Sequence, residues 1–478
     1  MKKLIFVLFM FTYTLIAFAD ESFDQFLSKE MGGFNEFKSE ADKGFYEYLK
    51  TGWEEFKAFS AIKRDEKPKI TKPPVASVKE NKITFEKNAK SSNDIVIDRV
   101  NQNNKDQKPL EVSYNIENRS PNQSVEDLYK IDLDLGKYSK PPLIDKPIKA
   151  EKIAEVWKKM ATGNYDILVG NINKKGKNIG FDDWGYFKIV KKTAEFLYPD
   201  DYNSKILLSW YILMKLGYDV KLGYNNDAVY LLVPSSQQIY AAPFFNFGGI
   251  RYYILWTDGR DIKTLYSYTG KYPEAEHTFA FKIEPFTMPL DIKSRAVKFK
   301  YEGKQYLFNV NYNISNVDFY RDFPQTDLSV YHKADVSKMV VESVFNGLRD
   351  AIAGKSEVDA VNIILRFVQT AFDYKTDQEQ FGYEKYLLPD ETLYYRYSDC
   401  EDRSILFSYL VRKLMGLEVV LLEYPGHIAT GVKFNTNING DRIRYGDKIY
   451  VICDPTYINA DVGMAMPQFK NTNPKIIF

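Results

Sequence analysis

Cysteine and histidine are the scarce residues, two of one and three of the other in 478 positions. Two cysteines, Cys400 and Cys453, do not make a disulfide framework, even in an oxidising compartment. Two of the histidines, His277 and His332, have no cysteine or carboxylate at ligand spacing, so neither a metal nor another cofactor is expected. A charge excess is missing too: 65 Lys and Arg stand against 64 Asp and Glu. No basic excess recommends nucleic acid as a partner, none is expected, and no acidic excess suggests a solvating tail. Beyond the N-terminus no stretch is apolar enough to span a bilayer. What the chain does have is an apolar fraction of 45% and 15% aromatics, enough for two or three folded cores.

Met1-Lys2-Lys3, the apolar run Leu4 to Phe18 and the small-x-small site Ala17-Phe18-Ala19 have the form of a secretory signal peptide over 1–19. The apolar run is about 15 residues, short of the roughly 20 that cross a membrane. A periplasmic or secreted product without a transmembrane span is therefore expected.

From Phe23 to Phe59 aromatics recur in register as Phe23/Phe26, Phe34/Phe37, Phe45/Tyr48 and Phe56/Phe59, each pair 11 residues after the last. That period lays every pair along one stripe of a helix. Residues 20–62 are expected to form an aromatic helix that docks on an envelope partner or a second copy, with Gly32, Gly33, Gly44 and Gly52 as weak points. The rival reading is a helix packed on its own domain. Residues 63–150, rich in Lys, Asn, Asp, Ser and Pro, are expected to be linker with short strands near 94–97 and 110–114.

Residues 151–281 suggest helices followed by strands. Ser204 to Gly217 has the pattern of a buried helix ending at glycine, with a strand from Tyr218 to Tyr224. The plan recurs 199 residues later: Arg403 to Leu414 is apolar on helical spacing, Gly416 closes it, and Leu417 to Leu422 is a strand. An internal duplication follows from that spacing, with Asp201 and Ala228 of the first copy opposite Cys400 and His427 of the second. Between the copies, in a β-rich insert over 282–335, Ala296 to Tyr301 and Lys304 to Tyr312 flank Glu302-Gly303 as a hairpin. Helices over 337–353 and 357–372 lead into the last unit, 336–478.

The chemistry concentrates there. Ser398 with Glu401 has the S-x-x-E form of a capping box, which would place Cys400 in the first turn of a helix. The helix dipole lowers a thiol pKa at that position, whereas Asp399, Glu401 and Asp402 raise it, so an imidazolium partner is needed. His427, after Pro425-Gly426 at the start of a strand, supplies one. Asp454, at the end of the strand Lys448 to Cys453 and before Pro455, can hold the imidazole in one tautomer. Nucleophile, base and orienter are each 27 residues apart. Cys453 points away from Asp454 by strand alternation and is expected in the core. The Cys400 amide is a candidate oxyanion donor, with Gln378, Gln380 or Tyr397 as a second.

Asp399-Cys400, Gly426-His427 and Cys453-Asp454-Pro455-Thr456-Tyr457 together resemble the transglutaminase-like superfamily over about Ser337 to Tyr457. The resemblance implies a papain-like α+β core, a cysteine nucleophile and acyl transfer to water or an amine, with 151–281 a degenerate copy of the same fold. One departure is the small Ala429, where an aromatic often follows the family's histidine by two residues. The chain is expected to be a peptide or amide hydrolase acting on a protein or peptide substrate. A transglutaminase is the near rival, and a non-catalytic envelope scaffold is the rival from another class.

Overall fold

Twelve α-helices and two antiparallel sheets of six and five strands make up the described part of a mixed α+β protein. The computed structural model describes residues 37–63, 69–77, 133, 135, 143–257, 259, 262–283, 291–335 and 338–478. The expected signal peptide, the pairs Phe23/Phe26 and Phe34, and the strands expected near 94–97 and 110–114 lie outside them. Among the described residues no helix is long and apolar enough to cross a membrane.

Helix α1 (Glu40–Thr51) begins at Ser39, whose hydroxyl accepts the Asp42 amide, and stops at Gly52. The continuous helix expected over 20–62 therefore ends early. Glu54–Lys57 is strand β1, with Phe56 opposite Leu265, and Phe59 pairs with Phe244. An 11-residue period repeats the aromatics but cannot carry a helix through Gly52-Trp53. Nor is the α1 part of the stripe an exposed docking face, although Phe59, beyond the helix, is exposed. Phe45 sits in a cage of Trp157, Tyr268 and Tyr272, with ring centroids at 4.8, 5.7 and 5.6 Å. Asp42 is buried under the Lys215 ammonium at 3.2 Å and accepts from the Tyr272 hydroxyl at 3.2 Å. Packing on its own domain is what α1 does.

Four helices follow: α2 (Ala150–Thr162), α3 (Tyr165–Ile179), α4 (Asp183–Leu197) and α5 (Tyr202–Lys215). The last is buried over nearly its whole length. It leads through Gly217, at φ 97°, into β2 (Lys221–Tyr224) and β3 (Val229–Ser235). With β4 (Phe244–Phe247), β5 (Ile250–Tyr253) and β6 (Thr264–Ser267) these form a sheet ordered β1-β6-β2-β3-β5-β4. The backbone pair Phe59–Phe244 bridges its edges, so the sheet is a nearly closed barrel.

Strands β7 (Ile292–Tyr301) and β8 (Lys304–Asn313) form the expected hairpin, followed by the short helices α6 (Ile314–Tyr320) and α7 (Leu328–Lys333). Glu302 and Gly303 both have positive φ, 47° and 78°, as a two-residue turn between twisted strands requires. The apolar residues Val297, Phe299 and Val310 join the core of the following helices α8 (Lys338–Ile352) and α9 (Glu357–Thr370). The hairpin is thus part of the C-terminal unit's core. Helix α10 (Cys400–Met415) then leads into β11 (Glu418–Tyr424) and β12 (His427–Lys433), which join β13 (Arg442–Tyr445), β14 (Lys448–Cys453) and β15 (Lys475–Ile477) in the order β13-β14-β12-β11-β15, a curled half-barrel. The short pairs β9 (Asp373–Tyr374) and β10 (Tyr397–Ser398) run parallel just before α10. Both halves of the chain share one local plan, a buried helix followed by an antiparallel strand pair.

Part of the presumed linker is also seated. Residues 69–77 lie on the C-terminal unit, where Ala76 donates its amide to Ile458 and Ile458 returns one to Pro74, at 2.8 and 2.9 Å. Because Phe45 fills an aromatic cage, Phe45→Ala should destabilise the protein by about 3–5 kcal/mol. Chemical denaturation of the full chain measures this. A change within about 0.5 kcal/mol, the range of surface substitutions, would restore the docking-face reading.

Candidate functional site

The first turn of α10 carries the thiol. Its cap is Asp399, not the expected Ser398: Asp399 Oδ1 accepts the Asp402 amide at 3.4 Å, and Asp402 Oδ2 accepts the Asp399 amide at 3.2 Å. The reciprocal box exists, shifted one residue, and Cys400 is the first helical residue. Ser398 is occupied otherwise, its hydroxyl accepting from Arg403 Nε at 3.2 Å. That guanidinium also donates to the carbonyls of Gln369 and Phe372, at 3.2 and 2.8 Å. Burial lowers its pKa to about 10.

One turn on, the Ser404 hydroxyl donates to the carbonyl of Ile428 at 2.9 Å. That bond ties the Cys400 face of the helix to the start of β12, where His427 stands. His427 Nε2 lies 2.8 Å from Asp454 Oδ2. A carboxylate only accepts, so in the neutral ring Nε2 carries the proton and Nδ1 keeps its lone pair. Nδ1 is buried with no hydrogen-bond partner. The ring is clamped by Phe469, stacked at 5.2 Å and 12°. Asp454 is fixed in turn: its Oδ1 accepts the amides of Thr456 and Tyr457, at 2.9 and 3.1 Å. Gln369 Nε2 reaches the carbonyls of Asp454, Tyr457 and Ala460 at 2.8–3.0 Å. Sequence reasoning missed Gln369 and Arg403. A glutamine inside an apolar helix pattern, and an arginine opening a buried helix, were the available signals.

The thiol does not behave as expected from its helix position. Cys400 is fully buried and donates to Glu401 Oε2 at 2.9 Å, not to His427. Burial first, then the charges of Glu401 and Asp399, push its pKa well above the ordinary thiol value. A helix N-terminus contributes only about 0.3–1 kcal/mol in the usual exposed case, too little to reverse this. Glu401 itself is pushed up to about 7 by burial and by Asp399, and Asp377 to about 11 by burial and by Asp399 and Asp402.

A cation answers these carboxylates. Lys69 Nζ lies 2.5 Å from Glu384, 3.1 Å from Asp399, 3.2 Å from Glu401 and 3.8 Å from Asp377. Burial opposes its charge, yet the surrounding acids raise its pKa overall. Oxygens of Asp377, Asp399 and Asp402 also come within 4.8 Å of one another, a spacing that could gather a metal. These groups already accept the ammonium and the amides of Lys385 and Leu387. His332 is remote from such a set: its Nε2 faces the Val419 carbonyl and its Nδ1 the Ser408 hydroxyl. Burial, then Arg412, lower it to about 3. His277 pairs through its backbone with Gly217 and Asp219. Cys453 packs in the core of the C-terminal unit, and both cysteines are free. Of the proposed oxyanion donors, Tyr397 holds its ring under the Lys375 ammonium at 4.1 Å.

A cleft of about 540 Å³ opens beside this assembly, walled by Glu401, His427 and Tyr424 on one side and by Tyr240 and Leu328 on the other. The barrel half thus supplies part of the wall. Comparison with known proteins gives no match: no family model, no curated protein and no solved structure.

The raised Glu401 fixes the sign of one pH effect. The unfolded chain releases its proton near 4.5 and the folded chain near 7, so stability present below pH 4.5 is lost as pH rises through 7. Asp377 and Asp402 act in the same direction. Glu401→Gln should therefore show a shallower fall in melting temperature between pH 4.5 and 7.5 than the parent. Parallel curves would mean that Glu401 is not held protonated by the fold.

Proposed function

We propose that the chain is an exported cysteine acyl-transfer enzyme of the transglutaminase-like kind, hydrolysing peptide or amide bonds through Cys400, His427 and Asp454. The observation that carries this is the imidazole: Nε2 anchored on Asp454, Nδ1 buried without a partner, and the strand that bears it tied by Ser404 to the Cys400 helix. A buried ring nitrogen without a partner is costly unless it has work to do. Export rests on Met1 to Ala19, and 151–281 is read as a degenerate copy with Asp201 and Ala228 at the aligned positions. The helix caps shift that alignment by one residue: Asp201 and Asp399 both cap their helices, so Tyr202, not Asp201, stands at the place of Cys400.

In this reading the thiol leaves Glu401 and passes its proton to His427 Nδ1. Thiolate sulfur attacks the acyl carbon, forming the C–S bond while the carbonyl π pair moves to oxygen. Collapse breaks the C–N bond, and the imidazolium proton goes to the departing amine. Water then attacks the thioester, giving its proton to Nδ1. The C–S bond breaks, and the thiolate recovers a proton from the imidazolium. Asp454 keeps the ring in one tautomer and one orientation.

A second reading, a non-catalytic scaffold, draws on the burial and raised pKa of the thiol. A pH series of iodoacetamide alkylation separates the two. On the catalytic reading His427→Ala raises the apparent pKa of Cys400 and slows its alkylation at neutral pH by about tenfold or more, the loss of roughly one pKa unit. Asp454→Asn moves the thiol less and turnover more, and Cys453→Ser changes neither. If His427→Ala leaves the profile of Cys400 where it was, the scaffold reading takes its place.

A further inference from the structure

Lys69 comes from a segment more than 300 residues before the thiol, yet its ammonium lies against Glu401, which holds the Cys400 proton. Glu401 therefore has two duties, one oxygen on the thiol and the other on Lys69. The next residue is fixed as well, since the Tyr374 hydroxyl donates to the Ile70 carbonyl at 2.5 Å. Ile70 packs against the same small core, around Tyr457 and Met466, as Phe469, the ring stacked on His427. Further along, Pro74 and Ala76 exchange backbone hydrogen bonds with Ile458, four residues past Asp454. Residues 69–77 thus lie across all three arms of the site, held by an ion-pair cluster at one end and backbone pairing at the other.

We propose that residues 69–77 are an autoinhibitory strap, and that Lys69 stands in the place of a basic side chain of the substrate. This rests on Cys400 being the nucleophile. Three features make the contact more than a surface ion pair. The Lys69 side chain is mostly buried, at 18% exposure, and Asp399 beside it is completely so. Carboxylates already forced towards protonation gain from any ammonium that enters among them. The seat is also part of the cleft, because Lys69, Glu384 and Glu401 all line it. While Lys69 is seated, Glu401 stays on the thiol and the sulfur remains behind it. A substrate chain that brings its own lysine or arginine can replace Lys69 without leaving the acids unpaired, whereas a neutral chain cannot. The strap thereby makes access to Cys400 conditional on a basic residue.

The test uses the full-length chain, its Lys69→Met variant, and two peptidyl chloromethyl ketones identical but for lysine or norleucine at one position. Lys69→Met keeps the aliphatic stem and removes the ammonium. In the parent the lysyl reagent should label Cys400 at least about tenfold faster than the norleucyl one, and in the variant the norleucyl rate should rise at least about tenfold, equivalent to 1.4 kcal/mol. Exchange of the Ala76 amide, read by mass spectrometry, should quicken. Tyr374→Phe, which removes only the hydroxyl on Ile70, should raise the norleucyl rate and Ala76 exchange by less. An unchanged norleucyl rate with unchanged Ala76 exchange overturns the strap. If neither reagent labels Cys400 in any form, Ala76 exchange in the parent with added acetyl-lysine amide decides. Quickening then upholds the strap as a displaceable contact and sinks the acyl-transfer reading instead, and no quickening overturns the strap.

Discussion

Helix α10 enters the protein N-terminus first and is buried without interruption from Cys400 to Val411. No water is available there, so every polar group in its first two turns must find a partner in the protein. That requirement organises the site. The amides of Asp402 and Asp399 are met by each other's carboxylates, the guanidinium of Arg403 by two carbonyls and Ser398, and the hydroxyls of Ser404 and Ser408 by Ile428 and His332. Arg403 draws in the end of α9 and the residue before β9. Ser404 draws in the head of β12. Ser404, one turn beyond Cys400, thereby ties the helix that bears the thiol to the strand that bears the imidazole.

The same constraint sets the electrostatics. Capping with two aspartates places charge where the dipole favours it, but at full burial their mutual repulsion and desolvation dominate. Hence the carboxyls of Asp377, Asp402 and Glu401 are raised together. One ammonium among four carboxylates lowers that strain without cancelling it, and protons retained by the acids make up the rest. Lys69 is therefore tied to the charge state of the helix start as firmly as Arg403 is tied to its backbone.

Local pattern carried much of this. The hairpin was legible from alternation around Glu302-Gly303, the helices α8 and α9 from apolar spacing, and the start of α10 from the capping pattern Ser398 to Glu401. Proximity of His427 and Asp454 followed from two strands that pair in register, Thr430 opposite Cys453. The cap was misplaced by one residue because Ser398 and Asp399 are both good N-caps, and the Ser398 hydroxyl is taken instead by Arg403, five residues on. The end of α1 at Gly52 was obscured by an aromatic period that continues into a strand, where Phe56 and Phe59 face different partners. Lys69 was out of reach altogether. It lies in a Lys- and Pro-rich stretch with the composition of a linker, and its seat is formed by residues 308 to 332 positions away, between which no periodicity runs.

At Glu401 the helix start, the thiol and the Lys69 ammonium meet. Beside a helix-opening cysteine, a glutamate is a poor neighbour for a thiolate, and on charge alone it argues against nucleophilic chemistry. Its geometry changes the sense of that objection. With one oxygen on the sulfur and the other on Lys69, it keeps the thiol protonated only as long as the side chain is held in that place. The imidazole meanwhile is complete in itself, anchored at Nε2 and with its lone pair at Nδ1 unused. Burial, Glu401 and Asp399 hold the thiol pKa up, and the seated Lys69 pulls the other way without reversing them. The site thus holds a proton on sulfur at one wall and an unpartnered lone pair at Nδ1 on strand β12.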